Sequence, residues 1–387
     1  MATTRSTVSA EGLRLALFTD TYAPQVNGVA RTLERLASVI VARGGSVRVF
    51  TAHDPESSAA GDVEQFPSRS FWAYPQLRLA WPRQRQVRAA LAEYAPTIVH
   101  AATEFGVGLA GRRAARDLGI PFVSSYHTSF VAYAEHYGLG MLARPGWHFM
   151  RWFHNGGLRT YCPTQAIVNE VNARGFERTA VWSRGVDGAR FSPTYRSASL
   201  RERLGATDDT LVLSYVGRLA AEKGLNVALD ALALVEQARP GKVRFLVVGD
   251  GPYEQEVRAR APRGTLLTGK LHGTALSEAF ASGDVFLFPS TTDTFGNVML
   301  EAMASGVPVI GADVGPTREQ LQTGGGWLAA PGDAAAFARA IIALIDDRSR
   351  VREAATRALA IAAAKTWDVV WDTLLDDYLR LHRPSLR

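Results

Sequence analysis

The sequence predicts an α/β protein built from parallel sheets, and three observations lead to this prediction. Short apolar runs, typical of buried parallel strands, recur along the chain. Such runs are followed by loops of turn-forming residues and then by segments with helical apolar spacing, as at 14–51 and 285–313. The chain of 387 residues is also too long for one ordinary domain, so we expect two domains of similar size.

In the first half of the chain, strand and helix patterns alternate. The predicted strands are 14–19, 47–51, 97–101, 121–125 and 159–163, and the predicted helices are 29–43, 107–118, 140–155 and 164–174. The polar, acidic stretch 52–66 is expected to be a surface loop. The stretch 71–90 mixes aromatic residues with arginines, a composition that suits either a lipid interface or a loop packed on the domain.

The second half repeats the pattern. The predicted strands are 211–216, 244–248, 265–268, 285–288 and 307–310, and the predicted helices begin at 226 and cover 275–282, 295–305, 333–344, 351–364 and 367–381. Gly306 follows the helix 295–305 in the position of a left-handed C-terminal cap. The basic tail after residue 381 is expected to be disordered.

Composition narrows the class of protein. Apolar residues make up 47% and charged residues 21%, as in soluble globular proteins. Cys162 is the one cysteine, so no intrachain disulfide can form and a reducing compartment is expected. The polar start lacks the apolar core of a signal peptide, and no run approaches the roughly 20 apolar residues of a membrane span. We therefore expect a cytoplasmic location, with peripheral binding to the inner face of the cytoplasmic membrane.

The net charge of +6 is unevenly distributed. Residues 1–196 contain 22 arginines, no lysine and 14 acids, a balance of +8, whereas the remainder has a balance of −2. A basic half predicts an anionic partner surface, and both anionic lipid and nucleic acid fit that charge. The alternative explanation of the basic half is that the source organism has an arginine-rich proteome. No nucleic-acid-binding module is recognisable, so we expect no nucleic acid as a partner.

Two acids stand out between the strands 285–288 and 307–310. Asp293 lies in the loop after the first strand, and Glu301 lies about two helical turns later, so both can face one side. The backbone N–H groups of Phe295, Gly296 and Asn297 at the helix start suit an anion or a sugar hydroxyl. A carboxylate accepts hydrogen bonds in pairs, so the two acids suit the vicinal diols of a sugar or ribose. The alternative is that Asp293 caps the helix and Glu301 is merely solvated.

Two cations follow the strand 211–216. Arg218 and Lys223 lie in a loop that starts at Gly217 and precedes a helix, a geometry that gathers positive charge and free N–H groups for a diphosphate. Two exposed surface cations are the alternative. Gly251, in a Gly-Asp-Gly-Pro loop after the strand 244–248, does not have the glycine spacing of a dinucleotide fingerprint.

The first half contributes its own candidates at strand ends. His127 follows the strand 121–125, where α/β enzymes place chemistry, although a histidine in a loop is more often structural. Asp20 and Gly28 bound the loop after the first strand, and Gly28 would let a phosphate approach the backbone at a helix entrance. A plain Asn-Gly turn is the alternative reading of that glycine.

The stretch around Asp293 resembles the retaining glycosyltransferases of family four, which have the GT-B fold. Their signature is an acid, seven residues and a glutamate, with Phe-Gly two residues after the first acid and a small-residue run. The matching positions here are Asp293, Phe295, Gly296, Glu301, Ala302, Met303, Ala304, Ser305, Gly306, Pro308 and Val309. The first acid is usually glutamate in the family and is aspartate here.

The resemblance implies a role for each candidate in the second domain. Arg218 and Lys223, with Gly217, match the family element that grips the nucleotide diphosphate and stabilises the leaving group. Glu301 would take the ribose hydroxyls, and Asp293 with the N–H groups of Phe295 to Asn297 the sugar hydroxyls. Gly251 would lie near the nucleotide, and Lys270 and Leu271 near the base.

For the first domain, the resemblance implies that His127 meets the donor sugar, orients a hydroxyl or stabilises developing charge. Gly28 would contact the donor diphosphate and the acceptor, and Asp20 is counted among the same binding residues. Family members need no bound metal, since Arg and Lys supply the charge, so we expect no cofactor. In agreement, the sequence shows no cluster with metal-ligand spacing.

The resemblance also implies the domain arrangement and the activity. It predicts two Rossmann-like domains, 1–193 and 194–366, facing each other across a cleft, and a helix with a tail, 367–387, that crosses back to the first. The expected activity is transfer of mannose from GDP-mannose to a lipid-linked or glycolipid acceptor at a membrane. A UDP-glucose donor, a soluble sugar acceptor and a nucleotide sensor are the alternatives, and the oligomeric state is left open.

Overall fold

The computed structural model describes residues 7–25, 27–56, 62–71, 74–127 and 143–382. The chain divides into two compact units. One contains Met1–Ser183 and Asp368–Arg387, and the other contains Arg184–Trp367. The first unit therefore ends ten residues before the boundary at 193 expected from the sequence.

The first unit is built on a seven-stranded parallel sheet in the order β3-β2-β1-β6-β7-β8-β9. Its strands, with the antiparallel pair β4 and β5 beside them, are β1 Arg14–Thr19, β2 Ser46–Ala52, β3 Val63–Phe66, β4 Ser68–Phe71, β5 Tyr74–Ala80, β6 Ile98–Ala101, β7 Phe122–Ser125, β8 Arg159–Cys162 and β9 Thr179–Val181. The strand order reverses between β1 and β6, which creates a crevice at the carboxyl ends of these strands.

Helices α1 to α5 of the described residues connect these strands. They are α1 Gly28–Ala42, α2 Gln84–Tyr94, α3 Gly106–Leu118, α4 Ala143–Asn155 and α5 Gln165–Ala173. The last helix of the chain, α14 Trp367–His382, packs in this unit from Asp368 onward. Asp372 of this helix accepts a hydrogen bond from Arg43 at 2.6 Å, and Tyr378 is buried against His100.

The second unit is built on a six-stranded parallel sheet in the order β12-β11-β10-β13-β14-β15. Its strands are β10 Leu211–Val216, β11 Val243–Val248, β12 Thr265–Leu267, β13 Val285–Phe288, β14 Val309–Ala312 and β15 Gly326–Ala329. Its helices among the described residues are α6 Ala198–Arg203, α7 Leu225–Ala238, α8 Glu254–Arg260, α9 Gly273–Ser282, α10 Asn297–Ala304, α11 Gly315–Leu321, α12 Ala334–Asp346 and α13 Arg348–Ala363. Here the strand order reverses between β10 and β13.

Burial on both faces of the sheet explains why the central strands are continuous apolar runs. All four residues of β13, Val-Phe-Leu-Phe, are buried, and separate apolar clusters cover the two faces of the sheet. A strand buried on both faces has no polar alternation, so its sequence is a continuous apolar run. The predicted α/β class is confirmed. In the described part of the chain, no helix combines the length and the apolarity that a membrane span needs.

Several predicted elements are wrong. The stretch 52–66, expected to be a loop, contains the edge strand β3. The stretch 71–90, for which a packed loop was one of the two alternatives, contains β5 and the start of α2. Polar edge strands lack the apolar run that identifies central ones. Strands β9 and β15 were also missed. The helix predicted at 295 begins at Asn297, because Gly296 has a left-handed conformation with φ of 78°. Residues 57–61, 72–73 and 140–142 of the predicted segments and residues 383–387 of the tail lie outside the described residues.

Candidate active site

The carboxyl end of β10 carries the residues predicted to bind a diphosphate, and the carboxyl end of β13 carries the acid predicted to bind sugar hydroxyls. The two strands are neighbours at the point where the strand order reverses, the place where open α/β sheets bind ligands. Arg218 and Lys223 follow β10, and Asp293 follows β13. The structure therefore brings together residues that are 70 or more positions apart in the chain.

A close backbone approach joins the two loops. Gly224 has φ of 71°, and a Cβ at this position would lie 2.5 Å from the carbonyl oxygen of Pro289. Only glycine fits this contact, which places Lys223 beside the loop after β13. The Lys223 Nζ donates to both carboxylate oxygens of Asp293, each at 2.9 Å, and Ser290 Oγ donates to Asp293 Oδ2 at 2.5 Å.

Arg218, the other predicted diphosphate-binding cation, also lies close to a carboxylate. Arg218 Nη1 lies 3.8 Å from Glu222 Oε1, and the Glu222 side chain is almost completely buried. The Tyr215 hydroxyl donates to the Arg218 carbonyl oxygen at 2.9 Å. Burial raises the pKa of Tyr215, with smaller contributions from Asp293 and Glu222, so this hydroxyl stays protonated and keeps its hydrogen bond. Glu222 and Tyr215 were not identified from the sequence.

The loop after β11 closes the same edge of the sheet. A Cβ on Gly251 would lie 2.3 Å from the Leu219 carbonyl oxygen, so glycine is required where this loop packs on the residues after Gly217. Lys270 forms an ion pair with Asp250 at 3.0 Å, and Leu271 packs partly buried against the core. This places the predicted base-contacting residues beside the Gly-Asp-Gly-Pro loop.

Helix α10 begins at the same edge. Phe295 is buried, Gly296 caps the helix, and the Gln320 amide nitrogen donates to the Phe295 carbonyl oxygen. Asn297 and Glu301, both partly exposed, are four residues apart and therefore lie on one face of the helix. The predicted sugar-binding N–H groups lie at the start of this helix, and the predicted ribose acid lies one turn further along it. Gln320, which no pattern in the sequence indicates, holds the backbone at the helix start.

In the first unit, His127 follows β7 and is 7% exposed. Its ring packs edge to face against Trp182, with 5.3 Å between the ring centroids. Gly28 is the first residue of α1 and is exposed, and the side chain of Asn27 caps this helix by accepting from Ala30 N at 2.8 Å. The residues directly after His127, 128–142, lie outside the described residues.

Asp20, predicted to be a binding residue, is engaged within the first unit. Its side chain is completely buried, and its carboxylate accepts from Thr103 Oγ1 at 2.6 Å and from Val107 N at 3.1 Å. Burial raises the pKa of Asp20 to about 6. The acid therefore ties the end of β1 to the start of α3.

A second buried polar group was not identified from the sequence. Ser124 Oγ lies 2.9 Å from His154 Nδ1, and His154 Nε2 lies 3.2 Å from Glu104 Oε1. The residue types are those of a Ser-His-Glu hydrolase triad, but at most 1% of each residue is exposed. A substrate cannot reach the serine, so this group is a structural network.

The polar groups after β10 and β13 suit an anionic, hydroxyl-rich ligand. Two cations, a helix start and two carboxylates at one sheet edge can hold a diphosphate and several hydroxyls together. Within the described residues, no group of three or more His, Cys, Asp or Glu side chains is placed to hold a metal ion.

Comparison with known proteins identifies the family. A family model described as "Glycosyltransferase Family 4" matches residues 26–190, and one described as "Glycosyl transferases group 1" matches residues 210–347. The chain is 34% identical over 385 residues to the GDP-mannose-dependent alpha-mannosyltransferase of Mycolicibacterium smegmatis, which covers 97% of this chain and 100% of that relative. It is 31% identical over 314 residues to the alpha-monoglucosyldiacylglycerol synthase of Streptococcus pneumoniae, which covers 77% and 70%.

Among solved structures, the sucrose-phosphate synthase of Thermosynechococcus elongatus has the same fold. The TM-score is 0.77, the alignment covers 95% of this chain and 99% of that one, and the sequence identity is 19%. The GT-B fold expected from the sequence is thereby confirmed. Because the chain matches the mannosyltransferase of Mycolicibacterium smegmatis over that protein's whole length, it belongs to glycosyltransferase family 4 and is a hexosyltransferase.

Proposed function

We propose that this protein transfers mannose from GDP-mannose to a lipid-linked or glycolipid acceptor with retention of the anomeric configuration. The observation that carries the proposal is the pair of cations, Arg218 and Lys223, at the strand ends of the second unit, in a chain that matches a GDP-mannose-dependent relative over its full length. A glucosyl donor such as UDP-glucose is the second candidate, because another relative is named a monoglucosyldiacylglycerol synthase.

In the proposed donor complex, Arg218 and Lys223 bind the diphosphate and offset the charge that develops on the leaving group. Glu301 binds the ribose hydroxyls, while the N–H groups at the start of α10 bind the sugar. Lys270 and Leu271 lie near the base. We further propose that no metal is required, because the guanidinium and the ammonium supply the positive charge that a metal would otherwise provide.

The proposed chemistry needs no carboxylate nucleophile from the protein. The leaving phosphate accepts the proton of the acceptor hydroxyl on the same face of the sugar, so the configuration is retained. His127, held edge to face by Trp182, orients a sugar hydroxyl or stabilises developing positive charge. The sparse exposure of His127 suits a group that works away from bulk water.

For the acceptor, we propose that the first unit binds the surface of an anionic membrane. Trp81 is 72% exposed and Trp152 is 45% exposed, and Arg112 stacks on Trp152 at 3.9 Å. Arg113 and Arg116 are exposed on the same helix as Arg112. Exposed tryptophans beside arginines suit the headgroup region of an anionic bilayer.

Nucleotide binding tests the donor proposal. We expect GDP and GDP-mannose to raise the melting temperature of the wild type, and UDP, ADP and their sugars to have little effect. The Lys223→Ala variant should lose most of the shift. Selective stabilisation by UDP would favour the glucosyl alternative, and no shift with any nucleotide at millimolar concentration would contradict the proposed donor site.

Vesicle flotation tests the membrane proposal. The wild type should float with vesicles that contain anionic phospholipid and not with purely zwitterionic vesicles. Trp81→Ala combined with Trp152→Ala should reduce flotation, whereas Leu328→Ala, which removes an exposed apolar residue from the second unit, should not. Equal flotation of all three proteins would contradict the assignment of this surface.

A further inference from the structure

Ser290, Asp293 and Lys223 form a hydrogen-bonded chain at the proposed diphosphate site. We propose that Ser290 is a positioning residue, which acts through Asp293 to hold the Lys223 ammonium where the diphosphate binds. The inference rests on the proposed role of Lys223 in donor binding. It assigns a function to a serine that neither the motif nor the comparison with relatives singles out.

The three hydrogen-bonded residues differ in how firmly the fold holds them, from Ser290, the most rigid, to Lys223, the most mobile. Ser290 is 2% exposed and lies two residues after the buried strand β13, which is fixed between two neighbouring strands. The side chains of Asp293 and Lys223 are 25% and 19% exposed, and the lysine has a long, flexible stem. A well-anchored serine can therefore orient the carboxylate, and the carboxylate can restrict the ammonium.

The hydrogen bonds are those of a shared carboxylate. The Lys223 ammonium donates to both Asp293 oxygens at 2.9 Å, so it bridges the two oxygens of the carboxylate. Ser290 donates to Oδ2 at 2.5 Å and removes the freedom of the carboxylate to rotate away. Hydrogen bonds to charged groups are stronger than neutral ones, so this arrangement is well suited to fix one lysine rotamer.

The packing of the two loops supports the same conclusion. The contact of Gly224 with the Pro289 carbonyl keeps the backbone of Lys223 next to Ser290. Thr292 Oγ1 donates to the Glu222 carbonyl oxygen at 3.4 Å, a second tie between the loops. Because backbone and side chains both connect the loops, loss of the serine hydroxyl alone should loosen the lysine without separating them.

The chemistry of the site explains why such positioning matters. An ammonium that is already oriented loses less conformational entropy when it binds a phosphate oxygen. Asp293 offsets part of the lysine's charge, so the pair gives up some attraction for the diphosphate in exchange for a fixed position. We therefore expect Ser290 to matter for nucleotide binding only while Lys223 is present.

A double-mutant cycle on GDP affinity, measured by calorimetry, tests this dependence. GDP has the diphosphate but no mannose, so the measurement is insensitive to any contact between Asp293 and the sugar. Ser290→Ala should weaken GDP binding by about three- to tenfold in the wild-type background and by less than about twofold in the Lys223→Ala background. If the thermal-shift panel selects UDP, the same cycle is measured with UDP.

Two further variants complete the design. Ser277→Ala is the matched control, because Ser277 is also a buried serine of this unit but lies on α9, which carries none of the proposed donor residues. It should bind GDP like the wild type. Asp293→Asn keeps the shape of the side chain and should also lose GDP affinity, and this loss should disappear in the Lys223→Ala background. The variant therefore provides a second double-mutant cycle if Ser290→Ala folds poorly.

The possible outcomes separate this inference from the proposed function. If Lys223→Ala weakens GDP binding but Ser290→Ala and Asp293→Asn do not, the inference is wrong and the donor site stands. If Ser290→Ala weakens GDP binding by the same factor with and without Lys223, the serine affects only the conformation of the loop after β13. The inference is then again wrong. If Lys223→Ala binds GDP as tightly as the wild type, both the inference and the proposed diphosphate role are overturned.

Discussion

The carboxyl edges of the two sheets use polar residues in opposite ways. At the edge of the first sheet, Asp20, Thr103, Glu104 and Ser125 are buried and engaged within the unit. At the edge of the second sheet, Arg218, Lys223 and Asp293 are partly exposed, with 19% to 33% of their side chains accessible. The same fold position thus serves mainly internal cohesion in one unit, whereas in the other it carries the residues of the proposed donor site.

The difference follows from what surrounds each edge. In the first unit the acid at the end of β1 reaches directly into the start of α3, so its hydrogen-bond capacity is used within the protein. In the second unit the loops after β10 and β13 pair cations with carboxylates at a surface that solvent reaches. Buried polar groups must be satisfied internally, whereas exposed ones can exchange partners with a ligand.

The sharpest test of this comparison is Lys223→Ala. We expect kcat/KM for sugar transfer to fall by about 10²- to 10³-fold, because the variant removes the charge that is proposed to stabilise the leaving diphosphate. Thermal stability should change little, since the lysine is partly exposed. Steady-state kinetics would measure the loss.

Lys242→Ala makes the same charge change at an exposed lysine of the same unit, paired with Asp209 at 4.0 Å, and should retain full activity. Equal losses in both variants would show that general charge, and not the position of Lys223, determines turnover.

The buried acid of the first unit predicts a stability that depends on pH. The folded-state pKa of Asp20, about 6, lies above its ordinary value of 3.8. Between these values the folded protein keeps a proton that the unfolded chain has released, so the free energy of unfolding falls as the pH rises through this window. The loss attributable to Asp20 is up to about 3 kcal/mol and is complete above the folded pKa.

Urea unfolding of the wild type and of Asp20→Asn at several pH values measures this effect. The difference in unfolding free energy between the two proteins should shift in favour of the variant from pH 4 to pH 7, because asparagine does not titrate. A difference that is constant across this range would contradict the assignment of the proton to Asp20.

The buried network in the first unit predicts a loss of stability without a loss of nucleotide affinity. Glu104→Ala removes the partner of His154 and leaves a buried ring nitrogen unsatisfied, which should destabilise the first unit by about 2 kcal/mol. GDP affinity of the folded protein should not change.

Glu93→Ala is the control, because Glu93 is 76% exposed and its ion pair with Arg48 at 3.5 Å contributes little. Unfolding curves and calorimetry on the same samples provide both measurements. A large loss of GDP affinity in Glu104→Ala would overturn the division of roles between the two edges.

The smallest expected effect concerns the aspartate that replaces the usual glutamate of the family. Asp293→Glu adds one methylene and should displace the carboxylate from Lys223 and Ser290, which would lower kcat/KM by about threefold. The measurement is steady-state kinetics with GDP-mannose. Faster turnover with glutamate would show that the short side chain is not tuned to this site.

Much of the fold could be predicted from the sequence. Buried central strands such as β10 and β13 lack polar residues, and their pattern is local, so it is readable without knowledge of their neighbours. The edge strand β3 is partly polar, so its pattern predicts a loop, and the pattern of the pair β4–β5 predicts no strand. Their strand character comes from pairing with distant segments, which no local pattern records.

For the candidate site, the sequence by itself determined which residues lie beyond the carboxyl ends of strands: Arg218, Lys223, Asp293 and Glu301 in the second unit and His127 in the first. Only the tertiary structure decided their partners. It paired Lys223 with Asp293 and Ser290 across 70 positions, and it buried Asp20 against Thr103. Chemical type and spacing are properties of the chain, whereas burial and hydrogen-bond partners depend on segments that meet only after folding.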